Sequence, residues 1–127
     1  MAIMADERPS LNVVFREPVP VRPAGRVRAL RFARGAEVAG QREAFAAVCS
    51  ARGWVAGGVV RDAGSGPRGW AAAVRLAASG RYGVIVVDTV EALHGAEVGR
   101  RAALDLAARS GVRVVVAGDR RPVAVAV

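Results

Sequence analysis

The sequence predicts an α/β fold, three-layer α/β/α, built on a mostly parallel sheet. Two observations carry that expectation. From residue 27 onward, short apolar runs alternate with segments of helical periodicity. The run Val84-Ile-Val-Val87 also lacks polar alternation, the mark of a strand covered on both faces. Strand, helix and strand in succession imply right-handed crossovers, with helices on both sides of the sheet.

Residues 1–25 stand apart as a proline-rich N-terminal arm, carrying Pro9, Pro18, Pro20 and Pro23 around one extended patch, Leu11-Asn-Val-Val-Phe15. Proline fixes φ and removes a donor, so this segment holds at most an edge strand. Residues 26–127 form the α/β domain. Residues 27–33 read as its first strand. Residues 40–52 read as a helix with Ala44, Phe45, Val48 and Cys49 on one face and Gly53 as its stop. Residues 54–60 are a second strand, leading into the turn-rich loop 61–69. The helix expected over 70–79 turns Trp70, Ala73, Val74 and Ala77 inward and closes at Gly80. Residues 84–87 follow as a strand, and 96–110 as a helix presenting Val98, Ala102 and Leu106. Strands over 112–117 and 122–127 complete the pattern.

The chain has 127 residues, 53% of them hydrophobic, enough for one compact domain with a core. Its formal charge is +8, and all 19 basic residues are Arg. Such a balance favours nucleic acid or another anionic partner, and equally suits the solvated surface of an ordinary domain. Aromatic residues make up only 5%, which disfavours a base-stacking single-strand binder. A single cysteine, Cys49, excludes an internal disulfide and a cysteine-based zinc site; its apolar helical setting assigns it to the core. No apolar stretch is long enough for a membrane span and no signal-peptide core is evident, so a cytoplasmic location is expected.

In a parallel sheet of this kind, ligands gather beyond the carboxyl ends of the strands. Three loops are expected there: 34–40, 61–69 and 88–95. The first strand and its loop, Arg28-Ala-Leu-Arg-Phe-Ala-Arg-Gly-Ala36, resemble the Y-x-R-x-S opening of serine recombinase (resolvase/invertase) catalytic domains. Further motifs follow in the same order. Gln41-Arg-Glu-Ala-Phe45 resembles the family's Q-R-E-A-L, and Ala51-Arg-Gly-Trp54 its A-x-x-G-W. Asp62-Ala-Gly-Ser-Gly66 with Arg68-Gly-Trp70 resembles D-x-x-S-G and the arginine step after it, and Gly111-Val-Arg-Val114 its G-V-x-V. The resemblance spans residues 27–117.

In that family a serine hydroxyl attacks the DNA backbone while several arginines hold the phosphate oxygens. Carried over, Arg34, Gln41 and Arg68 become the phosphate- or DNA-binding residues. Phe32 stands for the tyrosine and Ala36 for the nucleophilic serine, and a methyl group cannot attack a phosphodiester. The D-R-L-x-R segment falls on Glu91-Ala-Leu-His-Gly95, which lacks both arginines. The resemblance therefore implies a non-catalytic, resolvase-like protein in a DNA recombination context, with DNA as partner and neither cofactor nor metal. Arg22, Arg26, Arg28, Arg31 and Arg34 form an acid-free basic segment suited to phosphates.

The alternative is a regulatory or protein-interaction module that kept only the fold, partnered by another protein or a second copy. A third reading makes Asp88, with Glu91 or Glu37, a phosphate or metal site. Its weakness is the lack of any paired-acid motif. Two departures from the family stand out: the 36–41 and 65–68 loops are short, and Arg31 sits mid-strand. An unpartnered buried arginine is costly, so Arg31 demands an acidic neighbour, an exposed position or another register.

Overall fold

The computed structural model describes residues 13–17, 26–36, 38–64, 66–89, 92–93 and 97–117, with the side chains of 97 and 98 excepted. The strand expected over 122–127, Glu37, Ser65, Glu91 and His94 lie outside these residues. The elements run β1 (Val13–Arg16), β2 (Arg28–Arg34), α1 (Gln41–Arg52), β3 (Val55–Asp62), α2 (Arg68–Leu76), β4 (Val84–Val87), α3 (Glu97–Arg109) and β5 (Arg113–Val116). The five strands form one sheet in the order β1-β3-β2-β4-β5. All pairs are parallel except the edge pair β1–β3, which is antiparallel. The chain is thus α/β with a mostly parallel sheet, and an edge strand lies within the proline-rich segment.

Alternate side chains along the strands sort into two cores. Leu30, Phe32, Val60, Ile85, Val87 and Val114 pack with Trp70, Ala73 and Val74 of α2 and Ala103 and Ala107 of α3. Ala29, Val84, Val86 and Val115 pack with Phe45 and Cys49 of α1. Strands covered by apolar helices on both sides need no polar alternation, which explains the unbroken Val84–Val87 run. Trp70 closes the larger core. Its ring meets Phe32 edge-on at 5.3 Å between centroids, and its indole N–H donates to the Ala103 carbonyl at 2.8 Å.

α1 stops at Gly53, whose N–H groups with Trp54 return to the last carbonyls of the helix. α2 continues through a wider turn, Ala77–Arg81. The inward face of α3 differs from the expected one. Ala103 and Ala107 are buried, Leu106 is half-buried and Ala102 is exposed. In a helix this rich in alanine no bulky stripe sets the phase, and one residue's shift rotates the face by about 100°.

Between Ala29/Ala56 and Arg31/Val59 the β2–β3 ladder shifts register, so β3 bulges at Gly57 and Gly58. A Cβ on Gly58 would lie 2.6 Å from the Arg16 carbonyl oxygen, and one on Gly57 would lie 2.5 Å from the Tyr82 ring. The bulge is bare backbone for that reason.

β1 is anchored by a polar hub. The Glu17 carboxylate accepts from the Tyr82 hydroxyl at 2.6 Å and from the guanidiniums of Arg28 and Arg81. The Tyr82 hydrogen bond, followed by Arg28 and Arg81, holds the Glu17 carboxyl below its ordinary range against the opposing effect of burial. Burial, together with the adjacent carboxylate, pushes the Tyr82 hydroxyl upward, so it stays a donor.

Candidate functional site

β2 lies between β3 and β4, and the chain leaves it first toward one neighbour and then toward the other. That reversal opens a crevice at the carboxyl ends of β2 and β4, the usual ligand position in such sheets. It measures about 180 Å³ and is lined by Arg34, Gln41, Asp88, Thr89 and Ala92.

Arg34, the last residue of β2, reaches the loops after β3 and β4. Its Nε donates to the Ala92 carbonyl and its Nη1 to the Gly64 carbonyl, each at 2.9 Å. Nη1 also lies 3.5 Å from Asp62 Oδ2. The guanidinium rests over the Phe32 ring, 5.3 Å from its centroid. The remaining nitrogen, Nη2, is buried and finds no acceptor among the described residues. A buried donor left unpaired costs about 1–3 kcal/mol, so an acceptor brought to Nη2 recovers free energy.

Asp62 makes the second loop. Its Oδ1 accepts from the Gly64 N–H at 2.8 Å and its Oδ2 from the Gly69 N–H at 3.0 Å. Gly69 is the second residue of α2, so the carboxylate caps that helix. No Cβ fits at Gly69, where it would fall 2.3 Å from Asp62 Oδ2. Asp62 thus shapes the turn and braces Arg34.

The third loop is set by Asp88, just past β4. Arg31 Nε donates to its Oδ1 at 2.8 Å and Arg31 Nη2 to its Oδ2 at 2.7 Å, a two-pronged pair with both side chains almost fully buried. Arg31 pairs with Val86 across the β2–β4 ladder, and Asp88 lies two residues further along the same face. The acidic neighbour that a mid-strand arginine demands is therefore Asp88. With both oxygens occupied by Arg31, Asp88 is a core ion partner, which counts against the reading of it as a metal ligand. Among the described residues, no group of three or more His, Cys, Asp or Glu comes together to hold a metal.

The expected site residues separate. Arg34 and Gln41, the first residue of α1, line the crevice together. Arg68 opens α2 at the same sheet edge but is exposed and outside the lining. Ala36 is exposed in the loop after β2, which Arg61 steadies by donating to the Gly35 carbonyl at 2.6 Å. The basic segment 22–34 is not a continuous phosphate-facing surface. Arg31 is buried against Asp88, Arg28 is engaged by Glu17, and Arg26 is exposed, while Arg22 lies outside the described residues. Successive strand residues point to opposite faces, which divides the run.

Thr89 and Ala92 are crevice residues that the sequence did not single out. The only signal for them was their place in the third loop. Among the described residues no helix is long and apolar enough to cross a membrane. No protein-family model, curated protein or solved structure matches the chain.

Proposed function

We propose that this chain is a resolvase-like, three-layer α/β/α domain that binds a phosphate group, as in a DNA backbone, and does not cut it. The observation that carries this reading is Arg34 Nη2, a buried cationic donor without an acceptor among the described residues, beside a crevice at the strand-order reversal. Gln41 and Thr89 supply neutral polar groups on the same wall. Asp88 lines it too, but its charge is offset by Arg31. The lack of catalysis follows from chemistry: Ala36 has no oxygen to form a phosphoester, and arginine is missing from the 91–95 segment. The recombination context rests on the motif order from Arg28 to Val114.

A titration of the full chain with inorganic phosphate, followed by amide shifts, tests the reading. Shifts centred on Gln41 and Thr89 are expected, weakened by Arg34→Gln and by Gln41→Ala. DNA should bind with an affinity that falls steeply with salt, and no covalent protein–DNA adduct should form with supercoiled or linear substrate. Absence of phosphate shifts at Gln41 and Thr89 would refute the site; adducts would refute the inert reading.

A second reading draws on a specific observation. Two of the three Arg34 nitrogens tie the loops after β3 and β4 together, and Arg68 stands outside the crevice. An arginine serving only as that tie belongs to a module that kept the fold for protein contacts. Unchanged loop amides on addition of phosphate or DNA would favour it.

A further inference from the structure

A larger cleft lies on the α1 side of the sheet. It measures about 580 Å³ and is lined by Arg16, Arg31, Arg42, Phe45 and the bulged backbone of Gly57 and Gly58. We infer that this cleft is a binding site for a small organic anion with a flat apolar body.

Size is the first ground. Small-molecule sites commonly run from about 300 to 1,000 Å³, whereas the Arg34 crevice is of a size for a single phosphate-like group. Shape is the second. Phe45 of α1 gives the cleft an aromatic edge, and the glycine bulge lines it with backbone alone. The Cβ directions of both glycines point into the protein, at the Tyr82 ring and the Arg16 carbonyl oxygen, so packing requires glycine there and the bulge gives the cleft backbone without a side chain. Bulges of this kind recur beside binding sites.

Charge is the third ground. Arg31 is matched by Asp88, and Glu17, which also lines the cleft, is matched by Arg28 and Arg81. Arg16 and Arg42 are exposed and have no carboxylate partner among the described residues. Both line the one cleft, Arg16 from β1 and Arg42 from α1. A carboxylate or phosphate at the mouth can meet both while the flat body lies against Phe45 and the bulge. Neutral ligands leave the two guanidiniums unused, and bare inorganic anions leave the aromatic edge uncovered.

The test uses 2-naphthoate as probe, titrated into the ¹⁵N-labelled full chain, with 2-naphthylmethanol as its uncharged counterpart. Naphthoate is expected to shift the amides of Phe45, Gly57, Gly58 and Val59. The alcohol should bind at least about tenfold more weakly. Arg16→Gln and Arg42→Gln, both surface changes, should each weaken naphthoate about tenfold, as loss of one charge-assisted hydrogen bond does. Naphthoate should leave the Gln41 and Thr89 amides unmoved, because the Arg34 crevice is a separate site. Equal binding of acid and alcohol, shifts centred on Gln41 and Thr89, or indifference to both substitutions would overturn the inference. A chain that ignores phosphate altogether yet binds naphthoate at the bulge would sink the Arg34 site and uphold this one.

Discussion

Replacing Arg31 by methionine exposes how the sheet manages a charge in its interior. Arg31 and Asp88 have side chains only 5% and 3% exposed and share two hydrogen bonds of 2.8 and 2.7 Å. Arg31→Met leaves the Asp88 carboxylate buried and unpaired, which costs about 3–5 kcal/mol. With an unfolding slope of about 2 kcal/mol per molar urea, the midpoint should fall by about 2 M. Asp88→Val should cost a similar amount by stranding the guanidinium. The double variant Arg31→Met/Asp88→Val removes both charges and replaces them with apolar atoms against Val86 and α1. Buried pairs replaced in this way are commonly neutral or stabilising, so the double variant should recover most of the loss. Equilibrium urea unfolding of the four proteins closes the cycle, with a coupling of roughly 3 kcal/mol expected. Single variants costing under about 1 kcal/mol would place the pair among solvent-screened surface bridges and refute the account. The same result would follow from a double variant no more stable than its parents.

Three other outcomes follow from the structure. Because the folded Glu17 carboxyl is held below its ordinary value of 4.5, its stabilisation is complete above that pH and is lost as pH falls through the lower folded value. Amide exchange over Val13–Arg16 should therefore accelerate in acid, and Glu17→Gln should make it fast and nearly pH-independent after correction for intrinsic rates; a wild-type profile in the variant would contradict the hub. Gly69→Ala should destabilise the fold by about 1–3 kcal/mol in thermal or urea unfolding, since its methyl would meet the Asp62 carboxylate at 2.3 Å. A neutral effect would mean that Asp62 does not cap α2. The buried Cys49 thiol, pushed up to about 11 by desolvation, should resist an aromatic disulfide reagent at pH 8 until urea unfolds the chain. Rapid native labelling would show that α1 opens readily.

Periodic features were legible in the sequence, and pairwise ones were not. β4 was bounded to the residue because an all-valine-and-isoleucine run has only one reading between its polar flanks. β3 extends two residues beyond the expected end because Arg61 and Asp62 remain in the ladder, their side chains satisfied by the Gly35 carbonyl and by the N–H groups of Gly64 and Gly69. Nothing in the local pattern distinguishes such residues from a loop. Helix α2 was phased by Trp70, whereas α3, with alanine at most core positions, was off by one residue. The Glu17 hub went unseen because its partners Arg81 and Tyr82 lie 64 and 65 residues away.

Arg31 is the instructive case. Its place within a strand signalled that an acid must be close, yet naming that acid required the sheet order, since only β4 beside β2 brings Asp88 onto the same face. Once named, the pair explains more than the core. Asp88 also walls the Arg34 crevice, and Arg31 also lines the cleft beneath α1. A single buried ion pair thus separates the two cavities and neutralises a charge that would otherwise repel an anion from the first.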